Sequence, residues 1–342
     1  MTDSPISAKN RGPAISIVMA VHNQASELRE NLPQLLALDY EPGYEVIVVD
    51  ESSTDDTDDV LTQFRVEHSH LYTTYIPESS HYLSRRKLAL TIGVKAAHND
   101  WVILTEPDCR PEDERWLSAM AEGMTDEADV VCAYTGYEPG TKGSYVYQRV
   151  LTWCKQKHLR PYRYDGANLA IRKNAFMERN GFLKNLKYLR GEFDFLVNET
   201  DSDRIVILSS PESRLRQVEP TPKMWTNAQL YYMDTRPHLK HAMMSRLFFA
   251  FNQACIHLSY LLGIAALVLS IVLRNHIYIA VSSAFLLLLI LLRLSLCYRR
   301  CKACGEQIAA WKLPILDLGV AWYYIRYWLR YKLSDKTNFI RK

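Results

Sequence analysis

The chain has 342 residues, 48% of them hydrophobic and 23% charged, with 41 Lys and Arg against 38 Asp and Glu. That is ordinary globular composition, and it excludes a disordered, collagenous or disulfide-scaffold chain. A net charge of +3 is too small for a dedicated nucleic-acid binder, so no nucleic-acid partner is expected.

In chain order, the polar residues 1–13 read as a loose leader with no signal-peptide pattern. Residues 14–210 then alternate between two periodicities, within a domain expected over 14–235. Ile15–Val21 reads as a strand, Ser26–Leu38 as a helix and Glu45–Asp50 as a strand. Thr54–Val66 reads as a helix, Leu71–Ile76 as a strand, Arg85–Ala97 as a helix and Trp101–Thr105 as a strand. Near-continuous apolar strands between helices predict a parallel sheet covered on both faces. Ligands of such sheets bind beyond the carboxyl ends of the strands, so the chemistry is sought there.

The first strand ends at Ala20-Val21-His22-Asn23, and the second at Asp50-Glu51-Ser52-Ser53. The second turn either caps the next helix or lets Asp50 accept from a nucleobase or ribose. The strand Trp101–Thr105 ends at Thr105-Glu106-Pro107-Asp108. Two carboxylates one residue apart form an oxygen-ligand site suited to Mg2+ or Mn2+, which complete their shells with water and phosphate. The glycine fingerprints of Rossmann and P-loop proteins are missing from the sequence.

These segments, in this order and with SRRKLALTIGVKAA at 84–97 between the second and third, resemble the family 2 glycosyltransferases. The resemblance covers about residues 14–235. It implies an inverting transferase with the α/β GT-A nucleotide-sugar fold and a mostly parallel sheet. It implies that Ala20, His22, Glu27 and Asp50 meet a nucleotide-sugar donor, UDP-linked, and that Lys87 approaches its phosphates. Glu106 and Asp108 would hold Mg2+ or Mn2+, with Asp108 the main contact. Gly166 and Asn168 would lie on the acceptor side. Glu192 or Asp194, in Gly191-Glu192-Phe193-Asp194, would be the catalytic base, with Asp194 favoured and Phe193 packed away. The chain departs from the family pattern at His22, where tyrosine is usual, at Glu106, where aspartate is usual, and at the apolar Phe193. Those departures support a second reading, a nucleotide-sugar-binding homologue that scaffolds glycan assembly. Gln217 and Trp225 only loosely echo the Gln-x-x-Arg-Trp motif of processive synthases, and no role is read into them.

Residues 236–246 read as a linker. Leu247–Leu273 holds no Asp, Glu, Lys or Arg, and Asn275–Leu292 is a second such run. Each is long enough to cross a bilayer core of about 30 Å, so 247–298 is predicted to be a transmembrane hairpin. The alternative is a buried hairpin of a soluble protein. Lys240, Arg246, Arg299, Arg300 and Lys302 flank the hairpin, and Arg274 stands alone at its turn. The positive-inside rule then puts the large domain in the cytoplasm, on a bacterial inner membrane. Seven scattered cysteines fit a reducing compartment. Arg293 is expected to snorkel to the interface.

Residues 299–342 carry ten Lys and Arg against three Asp and Glu. Trp311, Trp322, Trp328 and several tyrosines accompany them, so 308–333 is expected to lie in the interface as an amphipathic helix. Cys301 and Cys304 read as part of a solvated turn, since zinc requires four ligands. The anchor implies a glycan or lipid-linked acceptor at the membrane.

Overall fold

The computed structural model describes residues 12–77, 84–158 and 161–334, so the expected leader lies outside it apart from residues 12 and 13. The first half runs β1 (Ile15–Val21), α1 (Ala25–Leu36), β2 (Tyr44–Asp50), α2 (Thr57–Glu67), β3 (Leu71–Tyr75), α3 (Arg85–Ala96) and β4 (Trp101–Thr105). Every residue of β1 and β4 is buried, as strands covered on both faces require. Helix α3 packs closely on this sheet because Gly93 has no side chain. A Cβ there would collide with a Val18 methyl carbon.

Shorter elements follow: β5 (Cys109–Pro111), α4 (Trp116–Ala121), β6 (Val130–Cys132), β7 (Thr135–Tyr137), α5 (Gly143–His158), β8 (Leu169–Arg172) and α6 (Lys173–Glu178). Then come α7 (Glu192–Glu199), β9 (Ile205–Ile207), β10 (Leu215–Gln217) and α8 (Pro222–Thr235). The main sheet has the order β3-β2-β1-β4-β8-β6-β9. Its first four strands are parallel, and β8 runs against both of its neighbours. The fold is thus α/β with a mostly parallel sheet. Val21 of β1 lies opposite Asp50 of β2, so these strands end together. A small second sheet, β5-β10-β7, sets Gln217 opposite Cys109 and Tyr137. It closes one wall of the space beyond the strand ends.

The C-terminal part is α9 (Ala242–Val272), α10 (His276–Ala303) and α11 (Leu313–Leu333). α9 and α10 are long and apolar enough to cross a membrane. Asn275 caps α10, its side chain accepting from the N–H groups of Ile277 and Tyr278. α9 begins inside the expected linker, and α10 runs beyond 298, through the flanking cations.

Two expectations are corrected here. Arg293 does not snorkel: it is buried, and its Nε donates to Asp317 of α11 at 2.9 Å. The Tyr147 hydroxyl of α5 donates to the other oxygen of the same carboxylate at 2.8 Å. A charge this deep is tolerable because it is paired, and the pairing ties the hairpin to the globular domain. Cys301 and Cys304 are not in a solvated turn. Both are 2% exposed, because the last turn of α10 docks on the domain. α11 docks there as well. Tyr331 donates to Asp234 of α8 at 2.8 Å, and the Trp225 indole N–H donates to the Tyr323 hydroxyl.

Candidate active site

A cleft of about 680 Å³ opens beyond the strand ends. Its floor is the turn between β4 and β5. Asn31 of α1 fixes this turn by donating to the Pro107 carbonyl at 3.2 Å. Asp108 accepts from the Gln217 amide at 3.2 and 3.0 Å, and Gln217 accepts in turn from Arg149 at 3.0 Å. Burial, together with the charge of Glu106, raises the Asp108 carboxyl to about 6. Among the described residues no cluster of three or more His, Cys, Asp or Glu forms a protein-built metal cage. Two adjacent carboxylates whose charges oppose each other fit an ion that takes few protein oxygens, such as Mg2+ or Mn2+.

Arg86 and Lys87 are neighbours on α3, but a helix turns about 100° per residue and sends them apart. Arg86 faces the cleft. Its Nε donates to Glu192 at 2.6 Å, and its far end pairs with Glu106. Lys87 is fully buried on the other side. Its ammonium donates to the carbonyls of Asn185, Tyr188 and Arg190 at 2.8, 2.6 and 3.1 Å. The cation of this pair that faces the cleft is therefore Arg86 and not Lys87, and Lys87 pins the segment that leads into Glu192. A Lys87→Met variant would leave three carbonyls without a donor. It is expected to lose about 3 kcal/mol of stability, on the order of one charged hydrogen bond with its stranded acceptors. A thermal unfolding midpoint equal to the parent's would refute that role.

The second carboxylate pair opens α7. Gly191 stands before it at φ 89°, and a Cβ there would meet Thr235 Cγ2 at 2.8 Å, so glycine is required on both counts. Glu192 and Asp194 are both buried, yet their environments differ. Burial pushes the Glu192 carboxyl up, but Arg86 and Arg190 outweigh it and hold the group below the usual range. Asp194 accepts from the Tyr164 backbone N–H at 2.8 Å, with Arg163 at 3.7 Å. There burial prevails and lifts the carboxyl to about 7. Phe193 is packed in the hydrophobic core, edge-on to the Tyr164 ring, and borders the cleft from there.

The structure brings His22, Glu27, Glu106, Asp108, Gly166, Glu192 and Asp194 into this one cleft. Four other expected residues lie elsewhere. Ala20 is fully buried within β1. Asp50 closes its own turn, accepting from the Ser53 N–H at 3.1 Å and its hydroxyl at 2.5 Å. Asn168 is fully buried, accepting from the Trp116 indole at 3.3 Å and donating to the Ser213 carbonyl at 2.7 Å. Lys87 is the fourth. In their place the cleft gains Arg86, Arg149, Gln217 and Trp225. Trp225 stacks on Tyr145 with ring centres 4.2 Å apart. The faint motif echo at 217–225, into which no role is read, is the signal that could have found two of these.

Residues 16–184 match the family model for Glycosyl transferase family 2. The poly-beta-1,6-N-acetyl-D-glucosamine synthase of Staphylococcus epidermidis is 26% identical over 101 residues, 29% of this chain. The match spans 23% of that relative's length. Among solved structures, a mannosyltransferase from Pyrobaculum calidifontis, in complex with GDP-Man and Mn2+, superposes with a TM-score of 0.54 at 16% identity. It covers 94% of this chain and 84% of that one, a likeness of fold that includes the C-terminal helices.

Proposed function

We propose that this chain, a glycosyltransferase whose residues 16–184 belong to family 2, moves a sugar with inversion from a UDP-linked donor to a glycan or lipid-linked acceptor at a membrane. The observation that carries the reading is the pairing of unlike carboxylates in one cleft. Asp194, lifted to about 7, is suited to take the acceptor hydroxyl's proton, and Glu192, held ionised by Arg86, is not. Glu106 and Asp108 would hold Mg2+ or Mn2+, whose charge neutralises a departing diphosphate. Arg86 stands between the two pairs and orients both. The mannosyltransferase solved with GDP-Man and Mn2+ supports a donor and a metal of this class. The polymer synthase supports a role in polysaccharide assembly.

In this reading residues 14–235 are the catalytic domain, α9 and α10 span a bacterial inner membrane, and the domain stays in the cytoplasm. Nucleotide release from the full chain, screened over UDP- and GDP-sugars with membrane lipid extract, tests the activity. Release is expected with a UDP-sugar and Mg2+ or Mn2+. Tight UDP binding without release from any donor would favour a glycan-assembly scaffold. Reporters fused at Lys342 and at Arg274–His276 test topology, with the first expected inside and the second outside. A reporter at Lys342 found outside overturns the orientation.

A further inference from the structure

A second cavity, of about 500 Å³, shares Tyr232 with the cleft. One half of its wall is cationic. Lys155 at the end of α5, Arg236 after α8 and Arg246 in the first turns of α9 all line it. Among the described residues none of these three pairs with a carboxylate within ion-pair distance. The other half is apolar, formed by Phe249 of α9 with Trp322 and Ile325 of α11. The Lys155 ammonium sits 3.6 Å from the centre of the Phe249 ring. Burial, with Arg163, Arg300 and Arg236 nearby and only Asp165 opposing them, draws that amine down to about 7.

Three polar atoms of lining residues are buried with no partner: Nε of Arg246, Oε1 of Gln253 and Nε2 of His257. The Nδ1 of His257 is already engaged by the Gln253 carbonyl at 2.8 Å, so Nε2 is its unspent group. Buried polar atoms ordinarily find partners, and three around one cavity are groups that water or a polar ligand entering it would satisfy. α9 passes at this level from its cationic first turns into its uncharged run, so the cavity stands where the helix would enter a bilayer. The site is also wired to the catalytic pair. Arg163 lies 3.6 Å over the Tyr232 ring and 3.7 Å from Asp194.

We propose that this cavity seats the phosphate of the lipid that carries the acceptor, with its apolar tail leaving along α9 and α11 into the bilayer. The cations, with the unpartnered Nε–H of Arg246, take the phosphate oxygens, and the aromatic wall takes the first carbons of the tail. Tyr232 and Arg163 then set the acceptor end toward Asp194. The assignment rests on the glycosyltransferase reading of the cleft, and its test separates the two.

The full chain in phosphatidylcholine nanodiscs is titrated with farnesyl phosphate, farnesol, inorganic phosphate and phosphatidylglycerol. UDP binding is measured alongside and reports the cleft. Farnesyl phosphate is expected to bind at least tenfold more tightly than each of the other three, and to alter nucleotide release from the donor. The double substitution Arg236→Gln, Arg246→Gln is expected to weaken that binding about tenfold or more while UDP affinity holds. Ile325→Glu, on the apolar wall, is expected to weaken farnesyl phosphate in the same way. Equal binding of inorganic phosphate would mean a soluble anion site and overturn the proposal. Equal binding of phosphatidylglycerol, with no effect on nucleotide release, would mean a bilayer lipid and overturn it too. Unchanged farnesyl phosphate affinity in both variants would also overturn it. A wild-type chain that binds no UDP would instead overturn the cleft reading, whatever the lipid result.

Discussion

Asp108→Asn is expected to remove the divalent-ion-dependent part of UDP binding and to cut turnover by about 10²-fold or more, the scale of losing several kcal/mol of charge stabilisation. The substitution keeps the shape and deletes the charge. It also turns an amide toward the Gln217 amide, which now donates to both Asp108 oxygens. Glu106 cannot take over, because Arg86 already pairs with it. Glu106→Gln should therefore cost less on the ion, though it releases Arg86 to Glu192 alone. The pH dependence has a definite sign. The Asp108 carboxyl is raised from 3.8 to about 6, so below that pH a proton competes with the ion. Mn2+-dependent UDP affinity should fall as pH drops from 7 to 5 and stay flat above 7. Calorimetric titration of UDP with and without Mn2+ across that range measures both effects. An Asn variant that keeps full Mn2+ dependence would remove Asp108 from the metal site.

How much of this was legible in the sequence follows from the range of each signal. β1, β2 and β4 could be read because a buried parallel strand is a continuous apolar run, and the topology then places their polar ends together. The strands β5, β6, β7, β9 and β10 have three residues each, too few to show a period, yet they bring Gln217 to Asp108. α3 hid its phase for another reason. Arg86, Lys87, Ala89, Leu90, Gly93 and Val94 are all buried, so apolar spacing could not tell which cation faced the cleft. The two long apolar helices were plain from length alone. The partner of Arg293 was not, since Asp317 lies on a different helix and only packing joins them. That Glu192 and Asp194 border the cleft was legible from their place in the chain. The unlike environments of these two carboxylates come from Arg86, Arg190 and Arg163, and no spacing rule reports those contacts.

That difference in environment sets the last expected result, for Asp194→Asn. General-base help contributes about 10²–10⁴ in rate, and turnover should fall by that order while UDP affinity changes little. The physical case rests on two facts. A base works best when its pKa lies near the working pH, and burial brings Asp194 to about 7 despite Arg163. Glu192 is ionised too firmly, because Arg86 donates to it at 2.6 Å and Arg190 stands at 3.4 Å. Glu192→Gln should cost less in turnover, acting by loosening Arg86 from its bridge to Glu106. The sign of the pH effect is again fixed. Below about 7 Asp194 carries the proton it must accept, so wild-type turnover should fall about tenfold per pH unit on the acid side. The Asn variant should lose that limb, leaving a low, nearly flat profile, with the weaker fall near 6 from Asp108 still visible in the Mn2+ dependence. Initial rates of nucleotide release from pH 5 to 9, for wild type and both variants at saturating donor, separate these outcomes. If both variants turn over within a few-fold of wild type, or if the acid limb persists unchanged in Asp194→Asn, the proton goes elsewhere and this carboxylate is not the base.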